Sequence, residues 1–532
     1  MIIEFKDKQS NLTSKTTNVK YSKWIFQVKQ MSKIVFLIAF LAHAVVTIAT
    51  DIKIVCYYGS WAAYRPGLGK FEPTDIDPTL CTHMIYTFIG IANDGNIRIL
   101  DSWMDLPNGK DGYGKFTRLR QLSPNTKALI AIGGWNEGSY KYSEVVANPE
   151  IRIRFVKNVV AFLEKYNFDG FDVDWEYPNQ RGGKEADKKN FVALLKELRQ
   201  EFNKYNYILS IAVAAAKSSA LKSYHISEVS KYVHFINLMT YDLNGSWNNF
   251  AAINAPLYAS SSESGAQAEL NVNSSVQYWL SEGAPANKLI VGIPAYGRSF
   301  TLANSINNKP GDKTIGAGQA GPYTRENGML GYNEICEFID QGWTVVREPE
   351  QRVPYAFKNN QWVGYDDVVS VEEKVNYVKY NGLGGIMMWS IETDDFHGTC
   401  GEKYSLLNTI NRVLKGHNPS TATTTAASTT SSISNSTTTI VSSTTISTST
   451  STTIASISTS TISSSSVPSS SSPNSVCTQE GYVRDPQDCS IFYYCQNVNG
   501  KYIINKFHCP KNLVFDTKIN SCNYKHNVPD CA

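Results

Sequence analysis

The sequence predicts an α/β chain built on a (β/α)8 TIM barrel. Three observations carry that prediction. Eight short apolar, β-rich runs recur between residues 51 and 417. Segments with helical periodicity separate several of them. The ends of several runs carry polar and aromatic residues that packing alone does not explain, and in a parallel barrel such ends converge on one face.

The runs are residues 52–58, 83–90, 128–135, 168–176, 208–215, 235–243, 289–296 and 385–391. Residues 149–166 and 188–205 repeat apolar positions at helical spacing, and Pro149 suits a helix's first turn. The seventh and eighth runs lie far apart. The insert between them, about 299–366, holds Trp343 and Trp362 within aromatic patches and reads as a small α+β lobe on the rim that carries the run ends.

Three segments flank this unit. Residues 34–49 are apolar, follow Lys29 and Lys33 and end in small residues, which suits a cleaved signal peptide better than a membrane span. Met31 immediately precedes that stretch, so residues 1–30 read as an upstream extension; an uncleaved signal anchor is the alternative. Residues 418–475 are almost entirely Ser and Thr and lack the apolar mass to fold, which fits an O-glycosylated stalk. Asn244, Asn273 and Asn435 each begin an Asn-X-Ser/Thr acceptor pattern. Residues 476–532 are too few for a self-sufficient core, and six cysteines there make sense as three staples.

The chain has 532 residues, a net charge of +3 and a pI near 8.1. No basic stripe points to nucleic acid. Ten cysteines, four in the first region and six in the tail, indicate disulfides and an oxidising compartment. No CxxC pair occurs in the tail, which weakens a zinc reading. Aromatic residues make up 12% of the chain, a surplus that suits ligand stacking as well as core packing.

The most informative stretch is Asp169-Gly-Phe-Asp172-Val-Asp174-Trp175-Glu176. Strand alternation sends Asp172, Asp174 and Glu176 to one side, at the strand's C-terminal end. Like charges that close raise at least one pKa, which is how a site keeps one acid protonated beside another that is ionised. A calcium loop would carry Gly and Asn among its carboxylates rather than Phe, Val and Trp. The other run ends read Ile132-Gly-Gly-Trp135, Met239-Thr-Tyr241-Asp242, Tyr296-Gly-Arg298 and Met387-Met-Trp389. Together they describe a groove with an acid, charged stabilisers and aromatic floors, suited to a sugar polymer.

These motifs resemble those of glycoside hydrolase family 18, the chitinases. Residues 169–176 match that family's DxxDxDxE pattern at every fixed position, and the third, sixth and eighth run ends match its other signatures. The tail resembles the peritrophin-A chitin-binding module in cysteine order and aromatic spacing. The whole resembles a secreted arthropod-type chitinase, a monomer with chitin and chitooligosaccharides as partners, no membrane association and no cofactor or metal.

The resemblance implies endo-acting, retaining, substrate-assisted hydrolysis of β-1,4-linked N-acetylglucosamine. Glu176 would be the general acid and base, Asp174 would orient the acetamido group, Asp172 would share a proton with Asp174, and Tyr241 would bond the acetamido oxygen. Trp389 would floor the distorted sugar. Trp61, Tyr64, Trp103, Trp135 and Trp247 would line outer subsites, Asp242 and Arg298 would contact sugar hydroxyl or acetyl groups, and Met239, Tyr177 and Met387 complete the expected substrate-binding set. Asp169 reads as structural. The resemblance also implies the pairings Cys56–Cys81, Cys336–Cys400, Cys477–Cys495, Cys489–Cys531 and Cys509–Cys522; spacing alone could not choose them. A non-catalytic chitin lectin, an N-glycan-trimming endo-β-N-acetylglucosaminidase and a structural matrix protein are the rivals. Glu176 argues against the lectin, and the chitin-binding tail and row of aromatics argue against the glycan trimmer.

Overall fold

The computed structural model describes residues 52–415 and, in the tail, residues 477, 481–498, 501–509, 513–517, 521–525 and 528–531. The expected signal segment, the Ser/Thr stalk and Asn435 lie outside the described residues. The chain divides into two compact units, at residues 426 and 427.

In the first unit, all eight predicted runs form strands: β1 Lys53–Gly59, β2 His83–Ile91, β3 Lys127–Gly133, β4 Gly170–Asp174, β5 Ile208–Ala214, β6 Phe235–Met239, β7 Leu289–Pro294 and β8 Gly385–Trp389. Neighbours pair in parallel in the order β1, β8, β7, β6, β5, β4, β3, β2, and β2 pairs back with β1 to close the barrel. Both faces of each strand are covered, which is why the runs read as nearly continuous apolar segments. The pleat sorts their residues. Val55, Tyr57, Ile85, Leu129, Ala131, Ala212, Ile290 and Met387 fill the barrel interior, while Ile54, Met84, Ile130, Phe171, Leu209, Ile211, Val291 and Ile386 pack in the larger core outside it.

The helix α1, Pro149–Tyr166, begins where Asn148 caps the amides of Glu150 and Ile151, with Pro149 at its first position. It ends at left-handed Asn167. The second predicted helix spans Asp187–Phe202 (α2), and residues 203–206 turn out of it.

The insert is an α+β lobe that begins three residues earlier than expected, because its first strand, Tyr296–Leu302, runs directly on from β7. Antiparallel strands follow in the order Thr314–Ala317, Tyr296–Leu302, Gln361–Gly364, Val353–Lys358 and Thr344–Glu348, and Met329–Gly331 also pairs with the first strand. The helix Tyr332–Asp340 lies between them in the chain. Trp362 is buried in the lobe's core, with its indole N–H on the Asn308 carbonyl. Trp343 stacks on Phe338.

Cys56–Cys81, Cys336–Cys400, Cys477–Cys495 and Cys489–Cys531 are paired as expected. Cys509 is disulfide-bonded, and the side chain of its expected partner, Cys522, lies outside the described residues. Asn244 is not a glycan acceptor in this fold: it is fully buried and its amide donates to the Ile253 carbonyl. The partly buried Asn273 accepts a hydrogen bond from the Tyr377 hydroxyl.

The second unit holds a three-stranded antiparallel sheet, Gly481–Arg484, Ile491–Val498 and Lys501–His508, and a two-stranded one, Leu513–Asp516 and Ser521–Tyr524. Tyr493 and Phe515 are buried, and Phe492 stacks on Phe515 with centroids 4.2 Å apart.

Candidate active site

The acidic residues lie at the C-terminal end of β4. Asp172 and Asp174 share its inner face, and the strand ends at Asp174, so Glu176 sits just beyond it rather than within it. Trp175 points the other way, packs on Tyr142 and Phe191, and donates its indole N–H to Ser139. The expected Gly-Gly of the third run end has a direct cause. Gly133 has φ +118° and a Cβ there would lie 2.0 Å from the Asp174 carbonyl oxygen. Gly134 donates its amide to that same oxygen and lies against the Phe88 ring. Only glycine lets β3 approach Asp174 so closely.

Asp172 is fully buried on the barrel floor. Its carboxylate accepts from the Ser210 hydroxyl at 2.6 Å, the Tyr57 hydroxyl at 2.8 Å and the Asn237 amide at 3.4 Å. Burial pushes its pKa up to about 6, against these three donors. Asp174 is also buried, and its Oδ1 has no hydrogen-bond partner. Burial, then the charges of Glu176 and Asp172, raise its pKa well above the usual carboxylate range. The coupling of Asp172 to Asp174 is thus electrostatic here, because the hydrogen bonds of Asp172 go to Ser210, Tyr57 and Asn237. Glu176 is half-buried, and burial lifts its pKa to about 7; the Tyr177 hydroxyl and the charge of Arg181 oppose that rise, and Asp242 adds to it.

Tyr241, just beyond β6, is buried with its hydroxyl 3.6 Å from the Met387 sulfur of β8. Met239 ends β6 beside it in the same interior cluster. Trp389 ends β8, half-buried, with Tyr57, Phe88 and Trp61 around it at centroid distances of 5.4, 5.8 and 6.3 Å. Trp61, Tyr64, Trp103, Trp135 and Trp247 stand out from the loops, each between 43% and 61% exposed. That exposure distinguishes them from Trp175, Trp279 and Trp362, which are core residues.

Asp242 and Arg298 are brought together, but onto each other. The guanidinium forks onto both oxygens at 2.7 and 2.6 Å, and the Tyr296 hydroxyl adds a bond of 2.6 Å. Arg298 also lies 5.5 Å from the Trp247 ring. Asp169 accepts from Arg120 and from the Ala128 amide, a structural pin at the barrel's other end.

Sequence reading did not single out Tyr57, Phe88, Ser210, Asn237 or Arg181. Ser210 and Asn237 did carry a signal: Ser210 is the lone polar residue of the run 208–215, and Asn237 is a polar residue among Phe235, Ile236, Leu238 and Met239. Tyr57 follows Val55 on the inner face by simple alternation. Arg181 lies in a loop and had none. Among the described residues, Cys336, Asp395 and Cys400 form the only grouping with metal-ligand atoms in reach, and its two sulfurs are joined in a disulfide.

The comparisons agree with this geometry. Residues 477–531 match the chitin binding Peritrophin-A domain. The chain is 42% identical over 402 residues to an endochitinase of Manduca sexta, covering 72% of each chain. Among solved structures it is similar to an Ostrinia furnacalis Group IV chitinase, at 49% identity and a TM-score of 0.67, over 69% of this chain and all of that one. It is also similar to human YKL-39, described as a pseudo-chitinase with retained chitooligosaccharide binding, at 38% identity and a TM-score of 0.64, over 69% of this chain and 100% of that one. Residues 53–394, the whole barrel with its lobe, match the model of the glycosyl hydrolases family 18, and the chain belongs to that family.

Proposed function

We propose that this protein is a secreted, endo-acting chitinase that hydrolyses β-1,4-N-acetylglucosamine linkages with retention. One observation carries the mechanism. Glu176 has its pKa lifted to about 7, next to Asp174, whose buried Oδ1 lacks a partner. A buried acceptor without a donor is costly, and an acetamido N–H in the groove would satisfy it.

Glu176 in its protonated form gives its proton to the glycosidic oxygen as the C1–O bond breaks. The acetamido carbonyl oxygen of the same sugar attacks C1, forming an oxazolinium ion. Asp174 accepts the acetamido N–H and stabilises the positive charge. Asp172, anchored by Tyr57, Ser210 and Asn237, sets the charge on Asp174, so the pair titrates as a unit. Tyr241, whose hydroxyl donates to the weak thioether acceptor of Met387, turns to the acetamido oxygen. Glu176, now ionised, takes a proton from water as that water attacks C1 and opens the ring, which restores the acid. Trp389 floors the reacting sugar, and Trp61, Tyr64, Trp103, Trp135 and Trp247 carry the flanking units. Asp242 and Arg298 act as a preformed pair that offers the substrate fixed polar atoms.

The test is the product profile on a chitin hexamer for wild type and Glu176→Gln. The expected result is short β-anomeric oligomers from wild type and almost none from the variant. Wild-type turnover in the variant would remove Glu176 as the acid. Tight chitin binding with no products from wild type would favour the lectin reading, which the likeness to YKL-39 raises and the presence of Glu176 opposes.

A further inference from the structure

Glu392 is a carboxyl that the proposed reaction does not use, and it lies fully buried just beyond β8. Burying a carboxylate is costly unless donors surround it, so its partners show what it holds. Its Oε2 accepts the Gly59 amide at 3.1 Å, and its Oε1 accepts the Ser390 hydroxyl at 2.6 Å. The Arg65 guanidinium stands 3.7 Å from Oε1 and donates from Nη1 to the Glu392 carbonyl oxygen at 3.0 Å.

Gly59 and Arg65 flank one short segment. Gly59 ends β1, and Arg65 follows the 3-10 turn Ser60–Tyr64, which carries Trp61 and Tyr64. The parallel ladder between β1 and β8 stops at Cys56 and Met388. Glu392 takes over where that ladder stops. It joins the segment that bears Trp61 to the strand end that bears Trp389. The junction is tight: a Cβ on Gly59 would lie 2.6 Å from Glu392 Oε1 and 2.7 Å from the Trp61 ring. Carboxylate and indole therefore pack against the same glycine. The Trp61 and Trp389 centroids are 6.3 Å apart, and Phe88 lies 6.2 and 5.8 Å from them. Trp61 is 43% exposed, so its place depends on where its backbone is anchored.

We infer that Glu392 is a positioning residue, which fixes the Ser60–Tyr64 turn against the end of β8 so that Trp61 and Trp389 hold one bound sugar chain at a set spacing. A platform held in place before binding does not lose its freedom on binding, and affinity is kept. The inference rests on reading Trp61 and Trp389 as sugar platforms.

The experiment measures KM and kcat on a chitin hexamer for the full chain, Glu392→Ala, Trp61→Ala and the double variant. KM does not depend on how much of a preparation is folded, so lost protein does not mimic the effect. Each single variant should raise KM about tenfold, the worth of one aromatic stacking contact, with kcat near wild type. The double variant should raise KM no further than Trp61→Ala does, because Glu392 acts through Trp61. The pH at which kcat falls should stay near 7 throughout, since Glu176 is untouched. An unchanged KM in Glu392→Ala, additive effects in the double variant, or a displaced kcat midpoint overturns the inference. If Glu392→Ala does not fold, Arg65→Ala frees the far end of the same segment and enters the same cycle; an unchanged or additive KM there overturns it equally. Trp61→Ala separates the two readings. A raised KM in Trp61→Ala beside a wild-type KM in Glu392→Ala keeps the platform and removes the role of Glu392. A wild-type KM in Trp61→Ala removes the platform, and the inference falls with it.

Discussion

Glu176 is set chiefly by burial: burial, with Asp242, favours its protonated form and outweighs Tyr177 and Arg181, which favour the carboxylate. With a pKa near 7 it stays a competent acid through mildly acidic and neutral solution. Turnover of a soluble oligomer should fall as pH rises through about 7, and a kcat profile flat to well above that point would contradict the assignment. The same burial costs stability. A carboxyl whose pKa is raised on folding holds its proton more tightly in the folded chain than in the unfolded one. That stabilisation is complete below the ordinary value of 4.5 and is lost as pH climbs through about 7. Glu176→Gln escapes the loss. Its stability should exceed wild type by roughly 2 kcal/mol in mildly alkaline buffer and by almost nothing at strongly acidic pH. Thermal melts of both proteins across pH read this directly; an equal Tm at every pH would show that the carboxyl is better solvated than its surroundings imply.

At the scale of elements, the barrel and its lobe are joined by a buried ion pair. Asp366 lies just past the lobe's last strand, and Lys374 lies on the helix Val368–Tyr380 that leads to β8. The two are 2.7 Å apart and fully buried. Ser370 donates to the other Asp366 oxygen, and Lys374 also donates to the Ala255 carbonyl. Such a pair is no more stabilising than apolar packing, but half of it is costly. Lys374→Met should destabilise the catalytic unit by about 3–5 kcal/mol, and the double variant Lys374→Met, Asp366→Leu should recover most of that. Denaturant unfolding of the single and double variants checks it. The Gly133-Gly134 pair is an element-scale device of a different kind, since it sets how closely two strand ends approach and thereby where Asp174 stands.

At the scale of the whole molecule, two sugar-directed units share one chain, a barrel with a catalytic groove and a disulfide-stapled module that matches a chitin-binding family. A module held on the polymer surface raises the local concentration of the barrel there. Removing residues 418–532 should leave turnover of short soluble oligomers near wild type and lower the rate on insoluble chitin. Equal rates on insoluble chitin would mean that the barrel's own aromatic subsites supply enough affinity.

The sequence by itself determined the barrel, its eight strands and the three carboxyls, because these rest on local rules. An apolar run of strand length buried on both faces reads the same wherever it lies, and side-chain alternation puts Asp172 and Asp174 on one face whatever surrounds them. Family motifs extended that legibility to the pairings of Cys56, Cys81, Cys336 and Cys400. What only the tertiary structure decided are relations between distant residues. Tyr57, Ser210 and Asn237 come from three strands to meet one carboxylate. Asp242 and Arg298 are 56 residues apart and satisfy each other. Asn244 carries an acceptor pattern yet is sealed inside the fold. Arg181, in a loop with no periodicity, covers one face of Trp135. Partner, burial and pKa are properties of a neighbourhood, and a neighbourhood exists only once the chain has closed on itself.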